Sequence, residues 1–331
     1  MLTKTERLRL ALSGEATDRI PYSLWTHFPG IDLDADKLAD TTYDFYRKLN
    51  LDFVKNMSNG MFSIEDWGCV CDYSEIANGG VAKVTRFGVN EPGDWARLQP
   101  LDVTQGALGR ELRSLRRLLA SLNGEAPVLA TVFSPLTTAQ KLSGSKVVAH
   151  MRTDPELVKA GLEVIAESTL RFAQQAMELG CAGVYFASQM SCYDAVSEAD
   201  YAEFGVPYDL AVLQPLQQSG WLHVMHIHGN NIMFPLLKQY PVQGISWHVG
   251  ETAPTVADFL AATDKCIVGG LQRFHITDGK LTELAEEAAD MIKITGGKRL
   301  LLAPGCVIRA PFDWQTLFYI RDLVTAAGPV K

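Results

Sequence analysis

The feature that most restricts the fold of this chain is a regular alternation of short, apolar, β-prone runs with longer helical patterns. The runs lack the polar–apolar alternation of a half-exposed strand, which is typical of parallel strands covered on both faces. Eight of them follow one another: IPYSLW (20–25), DFVKNM (52–57), PVLATVF (127–133), AGVYFA (182–187), LHVMHIH (222–228), GISWHV (244–249), CIVGGL (266–271) and RLLLAPG (299–305). Eight strands interleaved with helices predict an α/β fold, a single (β/α)8 TIM barrel.

The helical patterns between the runs carry recognisable ends. In the longest of them, residues 154–180, we expect Asp154 as N-cap, Pro155 as first helical residue and Gly180 at the end. A doubly wound sheet is the alternative fold. No glycine-rich dinucleotide-binding turn follows any of the runs, so the barrel is favoured.

Residues 58–100 interrupt this rhythm and predict a β-hairpin insertion after the second strand, on the face where such barrels carry their chemistry. The sequence contains no internal repeat and no low-complexity linker. We therefore expect a single domain over residues 1–331.

Charge and composition limit the possible partners. The net charge is −8, and the 30 lysines and arginines are scattered rather than clustered. We therefore expect no binding to nucleic acid or to an anionic membrane surface. The opening stretch MLTKTERLRLALSGE resembles an amphipathic helix rather than a signal peptide, and no apolar run is long enough to span a bilayer. Six cysteines without a secretory signal suit free thiols in a reducing compartment, so we expect a cytoplasmic protein, monomeric or homodimeric, with a small-molecule substrate.

Catalytic groups of a barrel belong at the C-terminal ends of its strands. Four of the seven histidines and one cysteine fall there. The side chains at these ends are Trp25, His27, Lys55, Asn56, Ser134, Ser188, Gln189, His226, His228, Trp247, His248, Gln272 and Cys306.

The stretch HVMHIHGNN places His226 and His228 two residues apart, which on a strand directs both side chains to the same side. Cys306, after the last strand, is a candidate third ligand, and two imidazoles with one thiolate suit catalytic zinc with an open position. His223 lies farther back and is not expected to bind metal. Strand-end histidines also bond to backbone carbonyls, so the spacing alone leaves metal binding open.

Other residues at the barrel mouth are candidates for substrate binding. Trp25, Trp67 and Trp247 are expected to wall a pocket, together with Gln189, although core packing is the alternative for the aromatic residues. Arg309 is expected to hold a carboxylate or sulfonate, with surface pairing as its alternative.

Several motifs resemble the uroporphyrinogen decarboxylase superfamily. ALSGEATDRIPYSLW resembles its opening, and DPELV, LGCAGVYFASQMS, EADYAEFGVPY, HIHGN, GISWHV, GGLQ and GCVIRAP follow in the order of the family. The similarity extends over nearly the whole chain. This resemblance implies a (β/α)8 barrel.

True uroporphyrinogen decarboxylases carry arginines after the first strand and an aspartate near the end of the second. Here PYSLWTHFPGIDLDADK has no arginine, and Lys55, Asn56 and Met57 stand where the aspartate would be. A tetrapyrrole with many carboxylates would meet too little positive charge. Haem biosynthesis is therefore disfavoured.

The other branch comprises zinc-dependent methyltransferases that move a methyl group from a methylated corrinoid protein to a thiol, with a His-x-Cys pair and a late Cys as ligands. The matching positions here are His226, His228 and Cys306, so this chain departs from the pattern by histidine at 228. The resemblance implies Zn²⁺, a corrinoid carried by a partner protein or free, and a small thiol acceptor. His248, His27 and Asn56 are the expected catalytic residues, and His248 is also a candidate fourth ligand.

Two alternatives stay open at this stage. One is a metal-assisted decarboxylase, lyase or hydrolase, in which zinc activates water. The other is a non-catalytic barrel that binds a small molecule. The second alternative requires that His226, His228 and Cys306 lie beyond coordination distance of one another.

Overall fold

Seven strands form one parallel sheet in a computed structural model that describes residues 2–326 and Gly328. Neighbouring strands follow the order of the chain, as in a TIM-barrel-like α/β fold. The strands of this sheet are β1 Val54–Lys55, β4 Val128–Phe133, β5 Gly183–Ser188, β6 Val224–Ile227, β7 Gly244–Ser246, β8 Cys266–Leu271 and β9 Leu300–Pro304. Every residue in them is buried, which agrees with their continuous apolar sequence.

Helices connect the strands and cover the outside of the sheet. They are α1 Lys4–Leu12, α2 Ala35–Leu49, α3 Phe62–Glu65, α4 Pro92–Trp95, α5 Gly106–Leu122, α6 Pro135–Ser143, α7 Lys146–Thr153, α8 Pro155–Glu178, α9 Glu198–Phe204, α10 Val206–Leu216, α11 Phe234–Leu237, α12 Val256–Ala262, α13 Arg273–Thr277, α14 Leu281–Thr295 and α15 Trp314–Ala326. In the part of the chain that the structure describes, none of them combines the length and apolar character needed to cross a bilayer. Residues 1, 327 and 329–331 of the predicted domain lie outside the described residues.

The longest helix, α8, begins and ends where the sequence predicts. Asp154 occupies the N-cap position and Pro155 the first helical position, although no side-chain cap bond forms. The Asp154 carboxylate instead accepts a hydrogen bond from Thr153 Oγ1 at 2.6 Å. Gly180 follows the C-cap residue Leu179 with φ +109°, a conformation that glycine adopts without strain.

The first predicted strand, 20–25, is not a regular strand. Its backbone makes an isolated parallel bridge between Tyr22 and Leu302 of β9. Leu302 N–H donates to Pro21 O at 2.9 Å and Ser23 N–H donates to Leu302 O at 3.0 Å. Pro21 has no N–H, and Tyr22 N–H donates to the Asp52 carboxylate at 2.8 Å rather than to a carbonyl. The segment therefore lies beside β9 without a full ladder.

The predicted insertion contains a hairpin, but it also contains helical turns. β2 Val70–Asp72 pairs antiparallel with β3 Lys83–Arg86, with an irregular register between Val70 and Cys71. The helices α3 and α4 and a 3₁₀ turn at Ile76–Asn78 occupy much of the remaining 58–100 range. The prediction of an insertion with a hairpin is thus confirmed in part.

Candidate metal centre

Four potential ligands meet at the C-terminal ends of β6, β7 and β9. One donor atom from each of His226, His228, His248 and Cys306 lies within 4.8 Å of the donor atoms of the others. The ring centroids of His228 and His248 are 4.9 Å apart, and those of His226 and His228 are 6.0 Å apart. The parallel sheet produces this arrangement because it brings its strand ends to one edge.

The His226 ring is fixed by neighbouring polar groups. His226 pairs in register with Ser246 of β7, and its Nδ1 lies 3.1 Å from Ser246 Oγ. Tyr185 OH lies 3.2 Å from the same hydroxyl, and the Tyr185 ring stacks on His226 with centroids 5.4 Å apart. With Nδ1 engaged, Nε2 is the ring atom of His226 that remains to bind a metal.

The three imidazoles are held in the neutral form that can bind a metal. Burial lowers the pKa of His228 to about 4, with Arg273 as the next cause, and burial together with His228 lowers the pKa of His248 to about 4. Burial also lowers the pKa of His226 well below its ordinary value. His248 Nε2 is buried and has no hydrogen-bond partner within the described residues, which suits a ring that awaits a ligand.

Cys306 reaches the histidines because the chain turns tightly after β9. Its Sγ lies 3.8 Å from His228 Nδ1. The preceding Gly305 donates its N–H to Leu271 O at 2.9 Å. A Cβ at Gly305 would lie 3.2 Å from His248 Cα, a tight contact, so the close approach favours glycine.

A cavity of about 90 Å³ opens beside this cluster. It is much smaller than the pockets of about 300–1,000 Å³ that hold drug-sized ligands. His226, His228 and Cys306 line it together with three of the predicted site residues, Trp25, His27 and Gln189. The cavity therefore admits only a small ligand.

The remaining predicted site residues lie outside the cavity lining. Asn56 donates to Ser58 Oγ at 2.8 Å. Trp67 Nε1 donates to Gln99 O at 3.1 Å in the insertion. Arg309 Nη1 donates to Gly79 O at 3.3 Å.

Trp247 also lies away from the cavity, because neighbouring residues of an extended chain face opposite sides. Its indole is fully buried and stacks on Phe259, with ring centroids 4.9 Å apart. The aromatic residues predicted as pocket walls thus divide into Trp25 at the cavity and two that the structure places elsewhere.

His223 lies beside β5, apart from the four candidate ligands. It is buried outside the cluster, where Nδ1 accepts a hydrogen bond from Val184 N–H at 3.2 Å. Nε2 lies 3.2 Å from Leu216 O and is therefore the protonated nitrogen. Cys69, in the hairpin, also lies apart from the cluster and accepts a hydrogen bond from Gly88 N–H at 3.2 Å.

Sequence reasoning missed several residues beside the cluster. Lys141, on helix α6, and Tyr185, in β5, line the cavity, and Ser246 supports His226. Lys55 lies at a strand end, and the sequence predicts no role for it. No sequence motif identifies Lys141. Ser246 precedes His248 by two residues, so the alternation along an extended chain predicts both side chains on the same side.

The donor set fits zinc. Neutral imidazoles and a thiolate are the ligands that zinc prefers, and four candidate donors allow three to hold the ion with a position left for substrate. The hydroxyl of Ser246 supplies the outer support typical of a histidine ligand. The metal-free binding barrel required these side chains to lie apart, and the structure brings them together.

The chain is similar to methyltransferases. It is 22% identical to the methylcobamide:CoM methyltransferase MtbA of Methanosarcina acetivorans over 92% of this chain and 93% of that protein. Among solved structures, a methyltransferase from Methanosarcina mazei has a TM-score of 0.80 at 20% identity, over 98% of this chain and 99% of that one.

A more distant likeness has the same general fold. A B12-independent methionine synthase from Shewanella sp. W3-18-1, in complex with selenomethionine, has a TM-score of 0.56 at 13% identity, over 93% and 92% of the two chains. The family described as Uroporphyrinogen decarboxylase (URO-D) matches residues 3–326. The resemblance read from the sequence motifs is therefore confirmed, and this chain belongs to the uroporphyrinogen decarboxylase family.

Proposed function

We propose that this protein is a zinc-dependent methyltransferase that moves a methyl group from a methylated corrinoid to a small thiol. The observation that carries the proposal is the cluster of His226, His228, His248 and Cys306, with donor atoms within 4.8 Å of one another beside a cavity. The curated relative at 22% identity, named as a methylcobamide:CoM methyltransferase, supports the corrinoid as methyl donor.

His226, His228 and Cys306 would hold the ion, with His248 as a fourth ligand or as a group that contacts the acceptor. Bound there, zinc lowers the pKa of a thiol, so that a thiolate is available at neutral pH. In the transfer, a bond forms between the acceptor sulfur and the methyl carbon. The bond from that carbon to the corrinoid cobalt breaks, and its electron pair stays on cobalt.

The residues around the cluster orient the acceptor and exclude water. Trp25 is fully buried and its ring packs against Tyr185, with centroids 5.4 Å apart, so the two form an apolar wall of the cavity. Electrostatic interactions are stronger in such a dry site than in water. Gln189 and His27 line the same cavity and supply polar contacts to the acceptor.

Three broader expectations belong to the same proposal. The segment 20–26 is the eighth position of a (β/α)8 barrel, the chain acts as a single domain, and a corrinoid protein is its partner. The six cysteines are free thiols, as suits an enzyme of the cytoplasm.

The experiment that tests the proposal is the zinc content of the purified protein, measured by elemental analysis beside His228→Ala and Cys306→Ala. We expect about one zinc per chain in the wild type and a large loss in both variants, because each variant removes one of the three side chains assigned to hold the ion. Methyl transfer from methylcobalamin to a thiol is then followed by the change in corrinoid absorbance.

Two matched controls separate loss of a ligand from general damage. His275→Ala and Cys71→Ala remove a histidine and a cysteine that lie outside the cluster, and both should retain zinc. Wild-type protein that takes up no zinc after reconstitution would contradict the metal centre. Zinc-dependent turnover of a substrate without any methyl donor would instead favour a decarboxylase, lyase or hydrolase.

A further inference from the structure

Two buried lysines line the same cavity as the candidate metal centre. Lys55 belongs to β1 and Lys141 to α6, and their side chains enter the cavity from different elements. Only 5% of Lys55 and 7% of Lys141 is exposed to solvent. Lysine is seldom buried to this extent unless it is paired with an opposite charge.

Neither lysine is paired with a carboxylate in the described part of the chain. Lys55 Nζ lies 3.4 Å from Asn56 O and 5.0 Å from the centroid of the Tyr185 ring. Lys141 Nζ donates to Gly60 O at 2.6 Å and lies 3.3 Å from the centroid of the Phe133 ring. The side chains that line the cavity include no aspartate or glutamate. Both ammonium groups therefore contact carbonyl oxygens and aromatic faces but no full negative charge.

The charge of both lysines is destabilised as a consequence. Burial lowers the pKa of Lys55 to about 8 and the pKa of Lys141 to about 7. The pKa of His27 is lowered to about 4, first by burial and then by the nearby charge of Lys55, with a smaller effect of Lys141. Its imidazole is therefore neutral, and its Nδ1 is buried without a hydrogen-bond partner. Within the described residues, the cavity thus contains two ammonium groups without a carboxylate partner and one imidazole nitrogen without a hydrogen-bond partner.

We propose that Lys55 and Lys141 bind an anionic group of the acceptor, a carboxylate or sulfonate, while its thiol reaches the cluster of His226, His228 and Cys306. This assignment rests on the methyltransferase function proposed above. An oxyanion would pair with both ammonium groups in a dry site, where charge-assisted hydrogen bonds are strong.

This assignment gives the anion-binding role, which the sequence predicts for Arg309, to the two lysines instead. Arg309 does not line the cavity, and its guanidinium lies near Gly79 and over the Phe274 ring, 5.9 Å from the centroid. Two lysines also suit a small anion better than a large one, because each presents a compact point charge. The cavity of about 90 Å³ limits the acceptor to a small molecule with a thiol and an acid at opposite ends.

The test compares two thiols of the same length, 3-mercaptopropionate and the neutral 3-mercaptopropanol, by calorimetric titration of zinc-loaded protein. We expect the acid to bind the wild type at least about tenfold more tightly than the alcohol, as a charge-assisted pair requires. Lys55→Met and Lys141→Met should each remove most of this preference and leave binding of the alcohol unchanged. Lys146→Met, at an exposed lysine that pairs with Asn90, is the matched control and should retain the preference.

Thermal unfolding without ligand distinguishes this role from a structural one. Replacing an unpaired buried ammonium with an apolar side chain should maintain or raise the melting temperature. A marked fall in both variants would show that the lysines stabilise the fold, and would overturn the proposal. Equal affinity of the wild type for the acid and the alcohol would also overturn it.

The two proposals can fail separately. Lysine-dependent binding of 3-mercaptopropionate without methyl transfer would support the anion site and contradict the methyltransferase. Methyl transfer to both thiols at equal rates, unchanged in the lysine variants, would support the methyltransferase and contradict the anion site.

Discussion

At the residue scale, one hydroxyl connects the candidate metal centre to the barrel wall. Ser246 Oγ lies 3.1 Å from His226 Nδ1 and 3.2 Å from Tyr185 OH. Groups of this kind fix the orientation of a histidine ligand and raise its basicity. The affinity for a metal bound by His226 should therefore depend on Ser246, a side chain that does not contact the metal.

Ser246→Ala tests this dependence. We expect zinc affinity to fall by about 10–100-fold, because the His226 ring loses the partner that sets its orientation. Competition with a chromophoric zinc chelator measures the affinity, and Ser13→Ala, at a serine whose hydroxyl donates to Arg9 O, serves as control. Unchanged affinity in Ser246→Ala would mean that Tyr185 stacking alone positions the ring.

The residues of the centre differ in how well the sequence predicts them. His226, His228 and Cys306 follow from the rule that parallel strands end at one edge. Trp247 could have been excluded by the same alternation that places His248 at the cluster, since neighbours on a strand face opposite sides. Lys141 could not be predicted, because its position depends on how α6 packs over the end of the sheet.

At the scale of elements, the irregular segment 20–26 depends on one buried carboxylate. Asp52 accepts hydrogen bonds from Tyr22 N–H at 2.8 Å, Arg7 Nη1 at 2.7 Å and Arg19 Nη1 at 2.6 Å. Its side chain is fully buried. Asp52 thus joins α1, the segment 20–26 and β1 where a regular strand ladder is lacking.

Asp52→Asn should lower the free energy of unfolding by about 3–5 kcal/mol, because Arg19 loses the carboxylate that it pairs with and Arg7 keeps only its pair with Asp18. Urea unfolding followed by circular dichroism measures the change. Asp44→Asn, at an exposed position of α2, should have little effect. Similar stabilities of the two variants would mean that solvent or Asp18 compensates for the lost charge.

A second element-scale contact joins helices α9 and α10 to the turn before β7. The buried Asp209 accepts hydrogen bonds from Tyr201 OH at 2.6 Å and Tyr240 OH at 2.9 Å. Burial raises the pKa of Asp209 to about 7, well above its ordinary value. Between the ordinary pKa of an aspartate and this raised pKa, the folded protein retains a proton that the unfolded chain has released. The stability therefore falls as the pH rises through this range.

Asp209→Asn should remove this pH dependence. We expect the free energy of unfolding of the wild type to fall by about 2–4 kcal/mol relative to the variant between about pH 4 and pH 7, and to change no further above it. Urea titrations across this range measure the difference, with Asp290→Asn, at an exposed site of α14, as control. A difference that is constant with pH would contradict the raised pKa.

The elements also show why only part of the fold follows from sequence. The run 266–271 has the bounds predicted for it, because each residue of β8 is buried and pairs with the backbone of β7 or β9. The run 20–25 has a similar composition, but its hydrogen bonds depend on the Asp52 carboxylate, which is distant in sequence. Local patterns identify a strand only when its partners are other backbones.

At the scale of the whole molecule, the candidate metal centre joins parts of the sheet that are remote along the chain. His226 lies in β6 and His228 directly after it, His248 follows β7 and Cys306 follows β9. A ligand that binds all of them stabilises the folded state only, because the unfolded chain holds no such site.

Removal of zinc should therefore lower the thermal stability of the entire domain. We expect a chelator to reduce the melting temperature of the wild type by about 5 °C, as follows from binding at concentrations well above the dissociation constant. Differential scanning calorimetry with and without chelator measures the shift. Cys306→Ser should show a much smaller shift, and an equal shift in both proteins would place the stabilising metal elsewhere.

The distance of Cys306 from His228, 78 residues along the chain, also sets the order of events during folding. The two neighbouring imidazoles can meet an ion while the rest of the chain is still open, but a two-ligand contact exchanges quickly. The thiol arrives only when β9 has docked on β8 and the tight turn at Gly305 has formed. Metal exchange should thus become slow only at the end of folding, so the exchange rate of the ion reports when β9 has docked.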